Sequence, residues 1–151
     1  MNTTSNSKHK NNHEKNKEAE LLLIEKLKLL GFTEIQLTRE GKRKCLIINQ
    51  NKRKITIYFN GKFKGDWQPS LKFADDCAPT ESNNKYWIFI DVPGKEFYIT
   101  PERWMAKQIY DDHQQYLLRH GGKRRYNNNS LHHRTTLGHI KKWKDAWNLL
   151  K

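Results

Sequence analysis

The side chains best able to do chemistry in this sequence are cations, and they are not spread evenly. Lys and Arg gather in three stretches: Lys42 to Lys54, Lys62 with Lys64 just ahead of Trp67, and Arg119 to Lys142. Cations at that density neutralise phosphates, and an aromatic among them, as Tyr126 is, can stack on an unpaired base. The third stretch is the most suggestive. Its segment KRRYNNNSLHHR has no helical or strand periodicity and reads as a flexible loop able to order on a phosphate backbone. For each stretch a solvated charged surface is the alternative account, and phosphate binding is favoured over it. Lys62, Lys64, Arg119, Lys123, Arg124, Arg125 and Arg134 are the candidate nucleic-acid-binding residues, expected on one positive surface.

Other chemistries find weaker support. His132, His133 and His139 have no Cys or carboxylate at ligand-like spacing, so no metal site is assigned to them. Asp75-Asp76 falls in a loop, and Asp111-Asp112 on a predicted helix, where neighbours diverge by about 100° and do not converge on one ion. Cys45 and Cys77 form no CxxC motif and read as two free thiols. Of the five tryptophans, Trp143 and Trp147 have the helical spacing of core residues. Trp67, in a polar loop after Lys64, is balanced between core packing and base stacking.

The elements that must position these groups follow from periodicity. Residues 1–13 (MNTTSNSKHKNNH) are nearly free of apolar side chains and read as a disordered arm; residues 14–151 read as a single α/β domain. Leu23, Ile24, Leu27 and Leu30 form one stripe of a helix from Glu14 to Leu30, ended by Gly31. Strands are expected over Phe32 to Thr38, Lys44 to Asn49 and Ile55 to Asn60, the last two joined by a turn at Gln50-Asn51-Lys52-Arg53. Tyr86 to Val92 is apolar on both faces, as a strand covered on each side requires, and Phe97 to Ile99 pairs back after Pro93-Gly94. Thr100 as cap and Pro101 at the first helical position announce a second helix with Met105, Ile109, His113 and Tyr116 on one face, ended by Gly121-Gly122. Ile140, Trp143, Trp147 and Leu150 return to helical spacing. The fold class is therefore α/β (α+β), a central mixed sheet flanked by helices.

Composition sets the class of partner. The chain has 151 residues, and its 29 Lys and Arg against 16 Asp and Glu give a formal charge of +13. Such an excess opposes compaction by self-repulsion, and a polyanionic partner is the simplest reason to carry it. No run approaches the roughly 18 apolar residues that a membrane span requires, so a cytoplasmic protein without a membrane partner is expected.

The order of these segments resembles a group of small bacterial proteins with the restriction-endonuclease-like, PD-(D/E)XK-type fold. The likeness runs from about Glu18 to Lys151: Glu20 in KEAELLLIEKLKLLGF, Trp67 in GDWQPS, the strand KYWIFIDV, the step FYITP into a helix with His113 in DDHQQYL, and a closing WNLL. The resemblance implies a metal-dependent nuclease site built from that early Glu, a strand Asp, and an acidic residue or Gln two positions before a Lys. Here Cys45 stands where the Asp is expected, and Tyr58 and Asn60 where the Gln and Lys are expected; only Glu20 is kept. A thiol, a phenol and an amide do not replace hard oxygen ligands and an ammonium.

The sequence thus predicts a pseudo-nuclease: a protein that binds nucleic acid, DNA in the first instance, through phosphates and with little base readout, with no catalytic residue beyond the weak candidate Glu20, no metal site and no cofactor. Two alternatives stay open. One is a metal-dependent endonuclease with a migrated site, which would need Mg2+ and a carboxylate cluster around Glu20; the other is a non-catalytic protein-interaction module using the fold as a scaffold, with its cations scattered.

Overall fold

Leu23, Leu27 and Ala19 are buried along one stripe of α1 (Asn12–Leu29), which is what their spacing dictates. The helix stops by a Schellman motif: Gly31 takes φ +97°, its N–H bonds the carbonyl of Lys28, and the Phe32 N–H bonds that of Leu27. Phe32 is spent on that closure and buried, so the first strand begins three residues later than the sequence suggests. The computed structural model describes residues 12–41, 43–68, 84–119, 121 and 134–151, so the predicted arm lies outside the described residues except for its last two positions, which open α1.

Strands β1 (Ile35–Glu40), β2 (Arg43–Gln50), β3 (Arg53–Lys62), β4 (Lys85–Asp91) and β5 (Glu96–Pro101) form one sheet in that order. β3 and β4 are parallel, and the other neighbours are antiparallel. Asn51 and Lys52, at φ 52° and 65°, make the two-residue turn between β2 and β3, whose twist suits a hairpin. β4 is buried from Tyr86 through Ile90, as a strand covered on both faces must be.

Alternation along the strands divides the interior in two. On one face Leu46, Ile48, Ile55, Ile57, Ile88, Ile90 and Ile99 pack beneath α1; on the other, Cys45, Tyr58, Trp87, Phe89 and Tyr98 pack against Met105 and Ile109 of α2 (Glu102–Arg119). The expected mixed sheet between helices is thus present, with an α+β arrangement.

Two local readings are corrected. Pro101 ends β5 rather than opening α2, and the Thr100 hydroxyl donates to the Trp87 carbonyl at 3.1 Å across the sheet instead of capping the helix. The C-terminal segment is not one helix: α3 (Leu137–Ile140) is followed by 3-10 turns at Lys141–Trp143 and Trp147–Leu150, broken at Asp145 with φ 53°. The reason is that it serves both faces. Ile140 is buried on the α2 side and Trp147 and Leu150 on the α1 side, while the Asp145 N–H bonds the Phe97 carbonyl and Tyr98 pairs with Lys144. A straight helix cannot wrap a sheet edge; this segment does, at β5.

Candidate nucleic-acid interface

Trp67 and Thr135 exchange backbone hydrogen bonds, N–H to carbonyl, of 3.0 and 2.8 Å. This small bridge draws the second cationic stretch and the Arg134 portion of the third together. Trp67 itself is a core residue, 1% exposed; its indole N–H donates to the Ile90 carbonyl at 3.0 Å and its ring meets Phe89 and Tyr98 edge-on. The base-stacking option for Trp67 is therefore overturned. Its polar sequence neighbourhood suggests exposure, and a single long-range bridge removes that exposure.

Around the bridge the cations take defined places. The Lys62 ammonium sits 4.7 Å from the centre of the Trp67 ring and 4.0 Å from an Asp91 carboxylate oxygen. Lys64 is exposed. Arg134 pairs through Nε with Asp66, and its side chain is 80% exposed. Arg119 is exposed at the end of α2, while Lys123, Arg124 and Arg125 lie outside the described residues, as do Asp75, Asp76, Cys77, His132 and His133. The first cationic stretch is split between the two ends of the sheet: Arg43 and Lys44 start β2 on the Lys62 side, since Cys45 pairs with Tyr58, and Lys52 to Lys54 lie at the far end. The Asn51-Lys52 turn opens β3 and Lys62 closes it, roughly 30 Å apart at strand rise.

Glu20 lies in a different setting, on the α1 face. Its carboxylate is buried and accepts hydrogen bonds from Lys17 at 2.9 Å and Lys44 at 3.3 Å. Burial pushes its pKa up, but those bonds and the two positive charges outweigh it and hold the carboxyl below its ordinary range. On this face β3 presents Phe59 and Gly61; Gly61 is required because α1 presses so close that an added Cβ would stand 2.5 Å from the Ala19 Cβ. Cys45 and Tyr58 belong to the opposite face, and so does Asn60, which pairs with Phe89. The strand residue that meets Glu20 is Lys44, one position before Cys45. Among the described residues no group of three or more His, Cys, Asp or Glu is placed to hold a metal ion.

The opposite face carries a cluster that sequence reasoning misses, because strand pairing across two hairpins brings its members together. The Tyr58 hydroxyl donates to the Glu40 carboxylate at 2.9 and 3.1 Å, and the Arg43 guanidinium lies 5.7 Å from the Tyr58 ring centre. Cys45 is buried beside them, and burial followed by the Glu40 charge pushes its thiol pKa up. Tyr58 is raised well above the ordinary phenol range by burial and then by the Glu40 hydrogen bond. Glu102, in the first turn of α2, is raised by burial against the pull of Lys85. A thiol and a phenol held protonated are the opposite of activated nucleophiles, so this cluster is suited to a charge-balanced structural seat rather than to covalent catalysis.

Comparison with protein-family models, with curated proteins and with solved structures finds no match for the chain. Among the described residues no helix is long and apolar enough to cross a membrane.

Proposed function

We propose that this protein binds nucleic acid, DNA in the first instance, through its phosphate backbone and without cleaving it. The observation that carries the reading is the Trp67–Thr135 bridge, which gathers Lys62, Lys64 and Arg134 from two of the three basic stretches of the chain. Polyanion binding gives the +13 charge a use, and Arg134, though paired with Asp66, stays exposed for it. The resemblance to restriction-endonuclease-like proteins is supported by the order of elements: an opening helix bearing Glu20, a strand meander, a core Trp, a doubly covered strand and a helix carrying His113. That Glu20 belongs to no group of three or more His, Cys, Asp or Glu among the described residues supports a pseudo-nuclease. Magnesium enters only in the nuclease alternative, and an interaction module would leave its cations dispersed.

Fluorescence-anisotropy titration of labelled duplex DNA against salt tests the reading. The logarithm of affinity is expected to fall linearly with that of salt concentration, with a slope of about 0.9 per phosphate contacted, and Lys64→Ala with Arg134→Ala should lower that slope by about 2. Affinity indifferent to salt would overturn it. Plasmid DNA incubated with magnesium or manganese is expected to stay intact; nicking by the parent that Glu20→Ala abolishes would establish an active centre instead.

A further inference from the structure

We infer that the indoles of Trp104 and Trp143 form a stacking platform for unpaired bases of a single-stranded nucleic acid, capped in the free protein by Lys142. The inference rests on the nucleic-acid reading and extends it from phosphate contact to the bases. Trp104 stands in the first turn of α2 and Trp143 in the 3-10 turn after α3; their ring centres are 5.4 Å apart with planes at 65°. Both are half-buried, resting on the inner cluster with their remaining surface outward. The two rings meet edge to face, and a cation stands over both. It is the ammonium of the exposed Lys142, 4.9 Å from one ring centre and 5.2 Å from the other.

A ring face covered by a core side chain is closed, whereas one covered by a solvated ammonium on a flexible stem is reserved. The magnitudes favour exchange. A cation over an exposed ring stabilises by about two- to five-fold, while a stacked base contributes about five-fold to beyond a hundred-fold. The displaced ammonium then has a phosphate within reach of the same stem. The Trp143 indole N–H is buried with no acceptor among the described residues, whereas Trp67 donates to Ile90 and Trp147 to Asp145. The surroundings suit an anion, since Arg103 and Lys141 are exposed beside the two tryptophans in sequence. The platform also adjoins the cation seam, because Tyr98, in edge contact with Trp67, pairs with Lys144, the residue after Trp143.

The test compares two strands of equal length and phosphate number, an oligothymidylate and its abasic counterpart, titrated into the full chain at low salt while tryptophan fluorescence is followed. The base-bearing strand is expected to bind about ten-fold tighter and to quench fluorescence, with the abasic strand doing neither. Trp104→Leu or Trp143→Leu should erase the difference between strands. Should those variants fail to fold, Lys142→Ala, at an exposed position, should retain quenching while the salt slope falls by about one. Equal affinity for the two strands without quenching overturns the platform and leaves phosphate binding intact. Binding of neither strand, nor of duplex, overturns both readings.

Discussion

At the scale of single residues, the molecule's one deeply buried carboxylate among the described residues is Glu20, and its two lysine partners set its pH behaviour. Its pKa lies below the ordinary 4.5, so the folded state favours the ionised form. The stabilisation is therefore full above that value and lost as pH falls through the lower folded pKa. Glu20→Gln is expected to cost about 1 kcal/mol near neutrality, small because both lysines reach solvent, with the gap to the parent closing on acidification; urea midpoints at pH 7 and pH 3 measure it. Tyr98 gives the mirror case at high pH. Burial and then its bond to Glu96 push it up to about 12 from 10.0, so stability is intact below pH 10 and declines as pH rises from there toward 12. Tyr98→Phe should flatten that decline.

At the scale of elements, the seat of α1 on the sheet depends on Gly61, and a paired substitution isolates it. Gly61→Ala should destabilise by about 1–3 kcal/mol through overpacking, because the Ala19 contact is backbone-borne and cannot swing aside. Ala19→Gly costs about 1 kcal/mol alone as a helix glycine but should recover part of the loss when combined, by thermal unfolding of the four proteins. Elements with strong local signals are legible in the residues themselves. The stripe of α1, the Gly31 stop, the β2–β3 turn and the doubly apolar β4 all lie where periodicity places them, since each depends on neighbours along the chain. The C-terminal segment misleads because Ile140, Trp143, Trp147 and Leu150 have helical spacing although the burial of Ile140, Trp147 and Leu150 arises from wrapping two faces. The same holds for the site. Lys62, Lys64 and Arg134 can be named from charge, but their meeting, the burial of Trp67 and the Glu40, Arg43 and Tyr58 cluster are products of long-range pairing, which leaves no periodic trace.

At the scale of the whole molecule, charge and layer order bear on different properties. The +13 excess lowers stability through self-repulsion, so added salt is expected to raise the melting temperature of the free protein while weakening its complex with DNA, and the two trends can be read from one salt series by calorimetry and anisotropy. The sheet holds a further consequence at its parallel joint. Every other pair of neighbouring strands is a hairpin, but Thr56 and Lys85, where β3 meets β4, are 29 positions apart. The meander β1 to β3 with α1, and β4 and β5 with α2, can each assemble from local contacts, whereas the joint must await closure of a long stretch of chain. Amide hydrogen exchange should then find two cooperative units of unequal opening free energy. The amides that cross the joint, Thr56 to Asn84 and Val92 to Lys62, would lose protection with the weaker of the two, because either unit's opening breaks them.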